Sequence, residues 1–98
     1  MKDQVFGLPW FERETYIQTT ALFEDRYKFP HSYDEWLVQA EQQLYKLEQT
    51  HVLVVKVKIT PEIITNWCNE HGLSVNAESR KEFAHFIAEQ SINHGRLF

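Results

Sequence analysis

The residues best suited to chemistry in this sequence are Cys68 and His71. They form a Cys-x-x-His pair, which on a helix places a thiolate and an imidazole one turn apart. Such a pair can hold a zinc ion or act as a nucleophile with its base. Zinc needs further ligands, and His85 and His94, the histidines that could supply them, show no second paired spacing. We therefore interpret Cys68 as a buried structural thiol and predict no metal site.

Histidine is somewhat frequent, with five residues among 98. Pairs of histidines can act as general acid and base, so a His-dependent, ribonuclease-like enzyme is one alternative for the function. The histidines are not clustered in the sequence, and a position at the end of a helix favours a cationic imidazole through the helix dipole. They are His31, His51, His71, His85 and His94. We predict no catalytic residue among them, which leaves enzymatic activity open but disfavoured.

The charge balance disfavours a nucleic-acid-binding protein. Ten Lys and Arg residues oppose 14 Asp and Glu residues, for a net charge of -4, whereas phosphate binding relies on excess positive charge. Lys56 and Lys58 on one strand face, with Arg80 and Lys81, form the one basic group that nearby aromatic residues could turn into a base-stacking surface. A small nucleic-acid-binding regulator is therefore kept as a second alternative.

Glycine spacing, apolar runs and cysteine content exclude several further classes of protein. The three glycines are far apart, which excludes a glycine-rich phosphate loop and predicts no cofactor. No apolar run is long enough for a membrane span or a signal peptide after Met1, and the single cysteine suits a reducing compartment. We expect a cytoplasmic protein without membrane contact, whose residues 1–98 form one globular domain with residues 1–9 as an N-terminal arm or short strand.

Four helices and one strand can be predicted from periodicity and capping signals. The first helix is expected from Trp10 or Phe11 to Lys28, between two prolines, and the second begins with a capping box at Ser32 and Glu35. The third runs from Thr60-Pro61-Glu62 to Gly72, and the fourth from about Ala77 to Asn93 after a cap at Ser74 or Asn76. Between the pairs, residues 52–59 contain five β-branched residues in eight and form the one convincing strand.

These elements predict a mostly helical α+β fold, with two helical hairpins around one principal strand in the order α-α-β-α-α. A single apolar strand needs a hydrogen-bonding partner. Two partners remain open: the N-terminal segment Lys2–Phe6, or residues 52–59 of a second copy paired antiparallel across a two-fold axis. We predict a homodimer from the second alternative.

A set of residues distributed over about residues 11–90 carries a resemblance to known proteins. The set comprises Tyr16, Phe23, Asp25, Phe29-Pro30, Tyr33-Asp34-Glu35-Trp36, the valine-rich strand, Trp67-Cys68, Gly72-Leu73, Arg80 and Phe83-Ala84. It resembles a family of small uncharacterised bacterial proteins without an assigned activity. The resemblance implies a bacterial, cytosolic origin and no particular mechanism.

The leading functional hypothesis is a non-catalytic protein–protein interaction or adaptor module. Three candidate surfaces are the edge of the strand, the acidic helices, and the apolar N-terminal segment, which lacks a helical or strand period. A protein partner beyond the homodimer is expected but not identified by these residues. The interaction candidates are Val52, Val54, Lys56, Lys58, Phe6, Trp10 and Phe11.

Overall fold

Two parallel strands lie at the centre of the computed structural model, which describes residues 4–95. The fold is α+β and mainly helical. Its elements in chain order are β1 (Gln4–Trp10), α1 (Tyr16–Ala21), α2 (Tyr33–Glu48), β2 (Val52–Lys58), α3 (Pro61–His71) and α4 (Ala77–Gly95). Short 3-10 turns at Arg13–Thr15 and Arg26–Lys28 flank α1.

The principal strand β2 pairs with the N-terminal segment of its own chain. The register runs from Gln4 opposite Val52 to Trp10 opposite Lys58, and the two strands are parallel. The N-terminal strand thus extends four residues beyond Phe6, the end of the segment considered from the sequence; Lys2 lies outside the described residues. Because parallel strands need a long crossover, the chain between them holds both α1 and α2.

The prediction of one continuous helix from Trp10 or Phe11 to Lys28 is wrong. Trp10 belongs to β1, and α1 has only six residues. The hydroxyls of Thr19 and Thr20 donate to the carbonyls four residues earlier, a local bond that competes with helix continuation. Beyond α1, the amide of Glu24 donates to the carbonyl of Val75 at 2.9 Å, so a tertiary contact replaces the helical hydrogen bond there.

The predicted starts of the other helices and the predicted end of α3 agree with the structure, whereas α4 continues two residues past Asn93, to Gly95. The Ser32 hydroxyl accepts the Glu35 amide at 3.2 Å, and Thr60 caps α3 in the same way. Gly72 ends α3 with φ of 66°, the left-handed conformation typical of a glycine stop. At the start of α4, Asn76 accepts the amide of Ser79 and the Ser79 hydroxyl accepts the amide of Asn76. Of the two caps considered for α4, Asn76 is the one used.

Helices cover both faces of the two-stranded sheet. Alternation along β1 places Gly7 on one face, where a Cβ would lie 2.1 Å from the carbonyl oxygen of Ala84, so α4 packs directly on the strand backbone. On the opposite face, the Trp10 ring meets Trp36 of α2 edge-on, with centroids 5.2 Å apart. The buried core between these layers comprises Phe11, Tyr16, Phe23, Trp36, Ala40, Val57, Ile59, Ile64, Cys68, Phe83, Ala84 and Ala88.

Candidate functional site

A cleft of about 580 Å³ follows strand β1 between helices α2 and α4. Four consecutive strand residues line it, from both faces of the sheet, while β2 contributes none. The cleft therefore lies along the edge of β1 that faces away from β2. Its walls are Phe6, Gly7, Leu8 and Pro9 of β1, Phe11 and Phe29, Trp36 and Gln43 of α2, and Arg80, Lys81 and His85 of α4.

The backbone of β1 presents unpaired polar groups to this cleft. The carbonyl of Trp10 accepts the amide of Ile59 at 2.9 Å, so Trp10 and every second residue before it face β2. Val5, Gly7 and Pro9 face the other way, and within residues 4–95 their amides and carbonyls have no backbone partner. Pro9 has no amide hydrogen, which fits a position on a free sheet edge. The edge thus offers the amides of Val5 and Gly7 and the carbonyls of Val5, Gly7 and Pro9.

One wall of the cleft is apolar and aromatic. Phe6 is 39% exposed, whereas Leu8 and Trp36 behind it are buried. Phe11 and Phe29 lie deeper, with ring centroids 5.7 Å apart in an edge-to-face arrangement. Gln43 of α2 is exposed at the rim of the cleft. This wall can take up the side chains of an apolar ligand, and Phe6 is its most exposed ring.

The opposite wall carries positive charge from α4. Arg80 donates two hydrogen bonds to the carboxylate of Asp25, at 2.9 and 2.7 Å, and these bonds hold the pKa of Asp25 below its usual value despite the partial burial of that carboxyl group. Nε2 of His85 lies 3.2 Å from Glu89. Lys81 is exposed and has no carboxylate partner in the part of the chain that the structure describes. Among the described residues, Lys81 is therefore the cation of this wall that no carboxylate compensates.

The interaction residues predicted in the N-terminal segment occupy three different environments. Phe6 lines the cleft and is partly exposed there. Trp10 is half-buried, with Trp36 on one side and the Nζ of Lys56 4.3 Å from its ring centroid. Phe11 is only 2% exposed and packs in the core, because β1 leads directly into the ring cluster around Phe23 and Phe29. Phe11 is thus core rather than free surface.

The interaction residues predicted on the principal strand do not line the cleft. Val52 and Val54 are half-buried, and the Nζ of Lys58 lies 3.5 Å from the carboxylate of Glu12. Lys56 lies over Trp10, so the aromatic face next to the basic strand is already covered. Other residues of the cleft were not predicted from the sequence: Gly7, Pro9, Gln43 and the position of Lys81 in the wall. The one sequence signal for this site is the residue type at position 9, since a proline within a strand indicates a free edge.

The Cys68 and His71 side chains are used in packing. Cys68 is 1% exposed, and its Sγ lies 3.8 Å from the carbonyl oxygen of Ser74. The His71 ring stacks on Trp67 with centroids 4.2 Å apart, and its Nδ1 lies 2.8 Å from the Trp67 carbonyl oxygen. In the described part of the chain no group of three or more His, Cys, Asp or Glu residues could hold a metal ion. The side chain of His94 lies outside the described residues.

Comparisons with known proteins give no relative for this chain. No family model, no curated protein and no solved structure matches it. Among the described residues, none of the helices has both the length and the apolar composition to span a membrane.

Proposed function

We propose that this protein is a non-catalytic interaction module that binds an extended segment of a partner protein along β1. The observation that carries the proposal is the free edge of β1: Gly7, whose amide points outward, lines the cleft, and the outward amide of Val5 continues the same edge just beyond the lining residues. In β-strand addition, backbone hydrogen bonds provide affinity and alternate side-chain pockets provide specificity. Both components are present at this edge.

The walls of the cleft favour a single extended segment over a second sheet. The added strand would lie about 4.8 Å from β1, between Gln43 on α2 and Lys81 on α4. Helical walls on both sides restrict access for a broad flat sheet, whereas an isolated peptide strand can enter between them. The aromatic wall then removes apolar peptide side chains from water, which is the main source of favourable free energy.

Display of random nonapeptides on phage, selected against the full chain, tests this proposal. Val5→Pro removes one outward amide without removing a hydrogen bond to β2, so it should reduce capture of the selected peptides about five- to tenfold. Val54→Pro is the matched control, since the register places its amide on the outer edge of β2, away from the cleft. Circular dichroism would check that both variants fold.

A second variant keeps this test decisive if proline disturbs the strand. Gln43→Trp changes an exposed helix residue and fills the mouth of the cleft without touching the core. It should reduce peptide capture while leaving the unfolding midpoint unchanged. The proposal would be overturned if no peptide is selected. It would also be overturned if the selected peptides are captured equally well by wild type, Val5→Pro and Gln43→Trp.

The alternatives from the sequence are a nucleic-acid-binding regulator and a ribonuclease-like enzyme. The pairing of Lys58 with Glu12 and of Lys56 with Trp10 reduces the free charge and aromatic surface that nucleic acid would need. A labelled RNA and DNA panel at low salt discriminates the classes. Binding or cleavage there that survives Gln43→Trp would favour the alternatives.

A homodimer remains a proposal, as do a cytoplasmic location and a bacterial origin. The outer edge of β2, at Val52, Val54, Lys56 and Lys58, also has no backbone partner within residues 4–95, and antiparallel pairing of two such edges would satisfy it. A monomeric mass by light scattering at micromolar concentration would overturn the dimer. The location rests on the single cysteine, and the origin on the family resemblance.

A further inference from the structure

We propose that the cleft along β1 selects a peptide strand in which apolar side chains alternate with carboxylates. This inference rests on the proposed function, because it assumes that the ligand adds to the edge of β1. It goes further in naming the chemistry of the partner: an extended acidic–apolar segment, bound with its apolar side chains toward α2 and its carboxylates toward α4.

Strand geometry dictates the alternation. Side chains of an added strand share the two faces of the existing sheet, pointing alternately to one and the other. Those that lie beside Phe6 and Leu8 point toward α2, because these residues share the face on which Trp10 meets Trp36. Those that lie beside Gly7 point toward α4, which contacts Gly7 through the carbonyl of Ala84. Successive ligand side chains therefore meet two chemically different walls.

The wall formed by α2 accepts apolar groups. Phe6 is half-exposed there, and Trp36 and Leu8 form the surface behind it. An aliphatic or aromatic ligand side chain placed on Phe6 would bury apolar area on both partners. A charged side chain in the same place would lose hydration without gaining a counter-ion, which is unfavourable.

The wall formed by α4 accepts negative charge. Three basic residues line the cleft and, among the described residues, no acidic one does, although the chain as a whole carries a net charge of -4. Arg80 is already neutralised by Asp25, and His85 is next to Glu89, so Lys81 is the group available to a ligand carboxylate. Complementary charge favours such a ligand and disfavours cationic ones.

The experiment extends the peptide selection to a charge-reversal pair. Lys81→Glu changes the cleft wall, and Lys46→Glu makes the same change of charge on the exposed surface of α2, outside the cleft. Against wild type and Lys46→Glu, selected peptides should show carboxylates at positions that face α4, most strongly beside Lys81, with apolar residues at the intervening positions. Against Lys81→Glu this enrichment of carboxylates should disappear.

Affinities of one selected peptide, measured by fluorescence anisotropy, make the result quantitative. We expect Lys81→Glu to weaken binding about five- to tenfold and Lys46→Glu less than twofold, because an exposed ion pair is worth only a modest free energy and reversal adds repulsion. Higher salt should weaken binding to wild type more than to Lys81→Glu.

Failure of this inference differs from failure of the proposed function. The inference would be overturned, with strand addition still supported, by peptides whose capture is reduced in Val5→Pro or Gln43→Trp but which show no alternating carboxylates. Equal binding of these peptides to wild type and Lys81→Glu would overturn it in the same way. Absence of any selected peptide, or capture unaffected by both edge variants, would overturn both.

Discussion

Arg80 and Asp25 form a bidentate ion pair that joins two distant parts of the chain. Their hydrogen bonds measure 2.9 and 2.7 Å, the residues are 55 positions apart, and their side chains are only 15% and 12% exposed. The guanidinium carbon of Arg80 also lies 4.7 and 4.9 Å from the ring centroids of Phe23 and Phe29. The pair therefore attaches the irregular segment after α1 to the start of α4, at one end of the cleft.

Removal of the Arg80 cation should destabilise the fold strongly. Arg80→Met keeps much of the aliphatic packing but leaves the Asp25 carboxylate without a partner in a largely buried place, which costs about 3 kcal/mol of unfolding free energy. Arg13→Met is the control, because Arg13 bonds Asp34 at the same 2.7 Å with both side chains mostly exposed. Urea denaturation should show a clear loss for Arg80→Met alone. Equal losses would contradict a burial-dependent role.

The same pair predicts how stability depends on pH. The hydrogen bonds from Arg80 lower the pKa of Asp25 in the folded state, so the folded protein binds this proton less readily than the unfolded chain. The resulting stabilisation is complete above about pH 5 and declines as pH falls through the ordinary aspartate pKa near 3.9 toward the lowered folded value.

Asp25→Asn should therefore flatten the acid limb of the stability profile. Unfolding free energies from urea titrations between about pH 6 and 3 measure the effect. Wild type should lose stability more steeply with acid than Asp25→Asn, since all other carboxylates titrate in both proteins. Two parallel profiles would show that the pair makes no pH-dependent contribution.

The elements that could be predicted from the sequence are those set by local chemistry. Ser32 and Thr60 cap their helices through bonds to amides three residues on, and Gly72 ends α3 by its own left-handed conformation. The strand around Val57 follows from β-branched composition. Each of these signals lies within a few residues of the structure that it determines.

The elements that could not be predicted depend on tertiary contacts. Tyr16, Thr20 and Phe23 have helical spacing, yet the helix ends at Ala21, because the Glu24 amide bonds to Val75 and Asp25 to Arg80. Strand β1 shows no clear alternation, since α2 and α4 cover its two faces. No local pattern contains this information.

The candidate site was unpredictable for the same reason. Phe6, Gln43 and Lys81 are far apart in the sequence and come together because β1 pairs parallel to β2 with a helix on each face. The predicted alternative, antiparallel pairing between two copies, would place the interaction surface on β2 instead. Of the predicted interaction residues, Phe6 and the core residue Phe11 line the cleft.

The close approach of α4 to β1 gives a prediction about the wall of the cleft. In Gly7→Ala, the new methyl group would lie 2.1 Å from the Ala84 carbonyl oxygen, a backbone atom that cannot rotate away. The helix would have to shift outward, and we expect a loss of about 2 kcal/mol or more in unfolding free energy. Urea denaturation measures this loss, and the shift should also weaken capture of any peptide selected for the cleft.

Gly72→Ala is the matched control for Gly7→Ala. It adds the same methyl group where, apart from the two chain neighbours, no atom of the described residues lies within 4 Å, so its cost is confined to the left-handed backbone with φ of 66°, about 1 kcal/mol. Peptide capture should be unchanged in Gly72→Ala, because α3 does not line the cleft. A Gly7→Ala protein as stable as Gly72→Ala, with normal peptide capture, would mean that α4 does not rest on the strand backbone at Gly7.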